Sequence, residues 1–340
     1  MHNSKKIENI EKSSDTGKKA KSRVPGILKV VACIVLFSII VKAMDIALYP
    51  CTFMRNDVHA VTAKQNDVII MGTSHGKMDL VPDAILEGTG QTGHNICVGG
   101  EYPIDAYYLT KLILEKQNPQ EIIYEVDPGY FAMEKEVGNN FLLFYHEFPF
   151  SLAKAEYFAD TLMDTDFRNS LFQFYEYPLS YELSRVSDTV TKKLGQDYDV
   201  SSLKSATQEY HENGFIERYA VDTTTMAEDI PKLFTMETLQ ESNMEYLSKL
   251  IKLCRDNNIK FTAVTTPIPA VTLMKYQDNY SQAWSYFSDY FESEGVDYYN
   301  FNVEYYNAYS HDLSHYTDYD GHMNGNSAID FSRVLGQKIH

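Results

Sequence analysis

The chain has 340 residues, of which 44 % are hydrophobic and 23 % charged, ordinary globular values that allow one large domain or two small ones. Its formal net charge of −17 argues against nucleic acid as a partner, because phosphate binding needs a basic footprint. The charge is uneven: residues 1–50 hold nine Lys/Arg against four Asp/Glu, whereas the remainder holds 21 basic and 43 acidic residues.

Residues 1–23 are polar and Lys-rich. A largely apolar run from Val30 to Val41 follows, flanked by Lys29 and Lys42. Residues 24–47 are long enough to cross a hydrocarbon core of about 30 Å at about 1.5 Å per residue. The two lysines sit where long stems can snorkel, and the basic flank should stay in the cytoplasm. The segment leaves as Lys42-Ala43-Met44-Asp45, without a small-x-small cleavage site. This favours an uncleaved signal anchor over a cleaved secretory signal; a buried core helix is the weaker alternative. The expected layout is a cytoplasmic tail over 1–23, a transmembrane anchor over 24–47 and an extracellular domain over 60–340, at the plasma membrane. Four cysteines show no metal-binding spacing. One disulfide among Cys51, Cys97 and Cys254 is open, but reduced or buried thiols are the simpler reading.

Asp67–Met71 reads as a buried strand ending at Gly72, and Asn95–Val98 as a second before Gly99-Gly100. Tyr102–Gln117 is a helix with Pro103 in its first turn, and Glu121–Val126 a third strand stopped by Asp127-Pro128-Gly129. Residues 140–235 break the rhythm and read as a mostly helical insertion. Leu152, Ala155, Ala159 and Leu162 share one helical face, and Leu183, Val186, Val190 and Leu194 another; Gln196–Asp229 is polar and loop-rich. The α/β pattern then resumes. Thr238 and Glu241 suggest a capping box before the stripe Leu247, Leu250, Ile251 and Cys254; Ile259–Thr265 is a strand, Tyr280–Glu294 a helix and Val296–Phe301 the last strand. This order predicts a three-layer α/β/α sandwich of flavodoxin-like type, with a parallel sheet.

Gly72-Thr73-Ser74-His75-Gly76 follows the first strand directly. The carboxyl end of a strand is where an α/β sheet exposes a nucleophile, and the turn offers backbone N–H groups to an oxyanion. The string matches the α/β-hydrolase elbow, but that elbow normally follows several strands, and Ser74 sits on the first. Near the C-terminus, Asp318-Tyr319-Asp320-Gly321-His322 supplies a candidate base with two candidate orienting acids, in a loop that should open on the same sheet edge as Ser74. Taken singly, each is equally a plain turn or a surface histidine. His75 reads as structural or substrate-lining, since adjacent side chains on a turn usually diverge. His311, Asp312, His315, Asp318, Asp320 and His322 match no standard metal signature, so no metal and no cofactor is expected. The tyrosines between Tyr298 and Tyr319 are expected to pack rather than stack on sugars, and Asp57 and Asp79 to be solvated.

Residues 65–130 and 240–335 resemble the SGNH/GDSL hydrolase superfamily. They are similar in particular to membrane-anchored bacterial members that work beside membrane-bound O-acyltransferases, such as the proteins of lipoteichoic-acid D-alanylation and alginate O-acetylation. The resemblance implies Ser74 as nucleophile, with its N–H and that of Gly99 or Gly100 as oxyanion donors, and an Asp–His pair in the 318–322 loop. His322-Met323-Asn324 with Ala328 also resembles the family's ending. Two departures stand out. The family's acid lies three residues before its histidine, where this chain has Tyr319, leaving Asp318 or Asp320. The third block's asparagine is absent from Asp127-Pro128-Gly129. The resemblance implies an esterase or O-acyltransferase acting on an envelope polysaccharide or polyol polymer. The alternative is a degenerate, non-catalytic SGNH-like module that binds a glycan or scaffolds a membrane acyltransferase.

Overall fold

The structure, a computed structural model, describes residues 24–135, 144–161, 172, 183–201, 203–226 and 231–340. The Lys-rich tail, residues 136–139 and the parts of the expected insertion over 140–143, 162–171 (Leu162 of the first expected helical face among them), 173–182, 202 and 227–230 lie outside the described residues. The chain forms two units, residues 1–44 and 45–340. The described part of the first lies on the helix Val24–Leu48, of which Gly26–Leu48 is long and apolar enough to cross a membrane. Ile27, Leu28, Val31, Ile34, Phe37 and Ile40 are all exposed, so apolar side chains ring this helix rather than striping one face.

The second unit is built on five parallel strands: β1 (Val68–Met71), β2 (Gly93–Asn95), β3 (Glu121–Glu125), β6 (Lys260–Thr265) and β7 (Asp297–Asn300). A small antiparallel hairpin, β4 (Gln208–Tyr210) and β5 (Ile216–Arg218), stands apart from them. The sheet order β2-β1-β3-β6-β7 is the flavodoxin-like order. Period-two alternation divides each central strand between two cores. Ile69, Met71, Ile122, Tyr124, Phe261 and Ala263 pack on one face with the helices Pro103–Leu114, Glu241–Asp256 and Gln277–Glu294. Val68, Ile70, Ile123 and Val264 pack on the other with Ile85, Ala328, Phe331 and Leu335, the last three from the helix Gly325–Ile339. Three layers result, as the sequence predicts.

Several boundaries move. The second strand ends at Asn95 instead of beginning there, although Ile96 N–H still donates to Ile70 O and Val98 N–H to Gly72 O. Glu241 opens its helix after Gln240 as N-cap, so the expected capping box with Thr238 does not form. In the insertion, Leu152–Thr161 and Val186–Gly195 are helical as expected, but the stretch read as loop contains the β4–β5 hairpin. All four cysteines are free thiols.

Asp57 and Asp79 are not solvated; both are fully buried. Asp57, on the helix Phe53–Ala63, accepts from Lys77 Nζ (2.7 Å), pairs with His94 Nε2 (2.8 Å) and accepts from the Tyr210 hydroxyl. Removing a buried charge from water is tolerated only with partners such as these. Sequence alone gives no sign of them, because they come from three distant segments. The network ties the helix after Ser74 to β2 and to the hairpin.

Candidate active site

The strand order reverses at β1, so a crevice opens beyond the carboxyl ends of β1 and β3. Four buried apolar residues carry β1 to Gly72, which turns at φ +141°. A Cβ there would lie 2.6 Å from the Cβ of Glu125, so only glycine lets the turn pass β3. Thr73 donates both its N–H and its hydroxyl to Glu125 Oε2, each at 2.8 Å, and its Oγ1 accepts from His75 N–H as the cap of the helix Ser74–Asp79. Burial pushes the Glu125 carboxyl up to about 7, with the nearby His75 charge working the other way. The Asn95 side chain closes the clamp, donating to the carbonyls of Gly76 and Leu80 and accepting from Cys97 N–H. Ser74 thereby becomes the first residue of a short, well-fixed helix.

The loop after β7 returns to this edge. His322 Nε2 lies 2.8 Å from Ser74 Oγ, 248 positions away in sequence, and His322 Nδ1 lies 2.8 Å from Asp318 Oδ2. Asp318 Oδ1 accepts the backbone N–H groups of Gly321 (3.0 Å) and His322 (3.1 Å). Gly321, at φ +124°, makes the turn that brings an acid four residues upstream onto the ring. Burial favours a neutral Asp318, but the hydrogen bonds and charge of His322 and the two backbone donors outweigh it and hold the carboxyl well below its usual range. An ionised Asp318 selects the tautomer with hydrogen on Nδ1, leaving the Nε2 lone pair toward the serine.

Asp320 does not share this hydrogen bond. Its carboxylate lies with His75 and His322 in a group whose ligand-type atoms fall within 4.8 Å of one another. The His75 ring stacks on that of His322, at 4.6 Å between centroids and 25° between planes. An imidazole binds a metal in its own plane, and two near-parallel rings send their lone pairs side by side instead of to one point, so this trio fits a metal poorly. His311 and His315 are used elsewhere. His311 meets the carbonyls of Ile268 and Tyr306, and His315 meets Ser327 Oγ. The tyrosines pack against other aromatic rings, as in the pairs Tyr299–Tyr305 and Tyr309–Phe331.

Burial opposes a charge on His75, but the hydrogen bond to Asp127 and the charges of Asp320, Asp127 and Asp79 raise its pKa well above the ordinary value. The turn after β3 therefore offers a carboxylate that holds a cation (His75 Nδ1 to Asp127 Oδ2, 3.5 Å) where the resemblance calls for a neutral amide. Gly99 lies against Ser74: a Cβ built on it would be 3.6 Å from the Ser74 Cβ. Gly100 follows at φ +78°.

Three contributors were not identified from the sequence. Glu125 sits at the end of an apolar strand, where an acid is unexpected. Asp79 Oδ1 accepts Met323 N–H at 2.8 Å, joining the serine helix to the histidine loop. Arg218 Nη1 lies 2.9 Å from Asp318 Oδ2, contributed by a segment read as loop.

No protein-family model and no curated protein matches the chain. Among solved structures, it is similar to a GDSL-like lipase of Bacteroides thetaiotaomicron, at 10 % identity and a TM-score of 0.37 over 85 % of this chain and 98 % of that one. It is also similar to a Bacteroides fragilis protein assigned as an acylhydrolase, at 10 % identity and a TM-score of 0.34 over 80 % and 85 %. Likeness this loose carries no functional argument; the strand order and the contacts above stand without it.

Proposed function

We propose that the chain is a membrane-held serine esterase or O-acyltransferase of SGNH type, with Ser74 as nucleophile, His322 as base and Asp318 as the orienting acid. The observation that carries this reading is the unbroken line Ser74 Oγ–His322 Nε2, His322 Nδ1–Asp318. In the first half-reaction the Ser74 proton passes to His322 Nε2 as Oγ bonds to the acyl carbon. The tetrahedral oxyanion faces the N–H groups of Ser74 and of Gly99 or Gly100. The bond to the leaving oxygen then breaks, and that oxygen takes the proton from His322. Water or a sugar or polyol hydroxyl reverses these steps on the acyl-serine, giving hydrolysis or transfer.

The apolar helix Val24–Leu48 supports an anchor that keeps the second unit outside the cytoplasm. An envelope polymer as acceptor, with a membrane-bound O-acyltransferase as partner, fits that placement. A multi-span acyltransferase encoded beside this chain would favour transfer over hydrolysis. The test of the chemistry uses the full chain in detergent with an activated acetyl ester and a serine-directed phosphonate. Wild type should hydrolyse the ester and be labelled, and Ser74→Ala should lose about a thousandfold or more of the rate and all label. Undiminished turnover in Ser74→Ala would remove the nucleophile assignment. No turnover and no label in wild type would favour the non-catalytic reading, for which the missing third-block amide at Asp127 speaks.

A further inference from the structure

Asp318 is engaged beyond what orienting an imidazole requires. Its Oδ2 faces His322 Nδ1 at 2.8 Å and accepts from Arg218 Nη1 at 2.9 Å, so one oxygen serves both imidazole and guanidinium. The side chains of Arg218 and Asp318 are 27 % and 12 % exposed, so the pair is only partly screened by water. Arg218 closes β5, outside the central sheet, yet its hairpin is firmly seated. Asn95 N–H donates to Asn213 O at 2.9 Å. Gly214 turns at φ +88° so close to β2 that a Cβ would fall 1.9 Å from Asn95 O. Phe215 is buried in the same core as Ala328 and Phe331, and Tyr210 reaches buried Asp57.

We propose that Arg218 is a positioning residue that sets the basicity of His322 through their shared carboxylate. The inference rests on the triad reading above. A carboxylate on Nδ1 stabilises the imidazolium; a guanidinium on the same oxygen offsets part of that charge. The imidazolium that forms at His322 is then held by a carboxylate oxygen already shared with the Arg218 guanidinium. The other groups facing His322 are Ser74 and His75 from the serine helix and Asp320 from its own loop. Asp127 and Asp79 bear on it through His75. The side-chain bond of Arg218 at this site goes to Asp318.

The test compares Arg218→Gln, which keeps a donor without charge, with Arg218→Lys, which keeps the charge. The full chain in detergent micelles carries 13C-labelled histidine, with the His322 resonance assigned through His322→Gln. In Arg218→Gln the His322 titration midpoint should rise, and the acid limb of kcat/KM should move with it. In Arg218→Lys both should stay near wild type. An unmoved or lowered midpoint in Arg218→Gln, or an equal rise in Arg218→Lys, overturns the proposal. The midpoint is read in the resting protein, so it decides the matter even when no ester is turned over; that outcome would sink only the acyl-transfer reading.

Discussion

Asp318 and Asp320 stand two residues apart and meet His322 in different ways. Asp318 faces Nδ1 and is fixed by two backbone donors, whereas Asp320 is half-exposed beside the stacked His75 and His322 rings. Asp318→Asn should therefore cost about 10³–10⁴ in kcat by allowing the wrong tautomer, as loss of the orienting acid does in serine hydrolases generally. Asp320→Asn removes a partly screened charge and should cost about tenfold or less. Parallel kcat measurements on the full chain separate the two, and equal losses would contradict this division. Spacing alone left the choice open because the deciding feature is a backbone angle: Gly321 at φ +124° rolls the loop so that the acid four residues upstream reaches the ring. The sequence shows a glycine there but not the direction of the turn.

Serine and histidine stay aligned because the elements carrying them are clamped, and one clamp is a buried acid. Asp79, at the end of the serine helix, holds Met323 N–H, and burial pushes its carboxyl up to about 8 although the His75 charge lowers it. A carboxyl whose folded pKa exceeds its unfolded value binds a proton more tightly in the native state. Its stabilising contribution is complete below the unfolded pKa, near 4, and is lost as pH rises through about 8. Asp79→Asn keeps a carbonyl acceptor for Met323 and has no proton to lose. Wild type should thus lose stability relative to Asp79→Asn between pH 5 and 8, by on the order of several kcal/mol, in denaturant titrations at a series of pH values. Parallel curves would show that Asp79 is not the titrating group. The hairpin gives a second element-scale expectation. Gly214→Ala cannot keep its φ or its approach to Asn95 O, so it should lower the melting temperature and shift the pH profile in the direction of Arg218→Gln. The central strands were legible because burial on both faces leaves a short continuous apolar run, as in Val68–Met71. The hairpin was not: its strands are three residues each, set in a polar stretch, and they are held by contacts to Asn95 and Asp57 far away in sequence. Local pattern carries no trace of such contacts.

For the molecule as a whole, the proposal needs the second unit to face away from the cytoplasm, and the cysteines supply a way to read its side. Cys33 lies within the apolar helix, Cys97 and Cys254 are buried, and Cys51 is half-exposed three residues beyond that helix. A membrane-impermeant maleimide should therefore react chiefly at Cys51. On intact cells expressing the chain, wild type should be labelled without lysis, and Cys51→Ser should lose that label while Cys33→Ser keeps it. The ring of exposed apolar side chains on Val24–Leu48 also predicts that the chain stays with the membrane pellet through alkaline carbonate washing. Labelling that appears only after the membrane is opened would put Ser74 and His322 on the cytoplasmic side. Envelope polymers could not then be the acceptor, even if the ester chemistry survived every other test. Release of a shortened, labelled product into the medium would instead mean that the apolar helix is removed as a signal. Chemistry at the serine would then operate free of the membrane, and a membrane-bound acyltransferase would lose its reason as a partner.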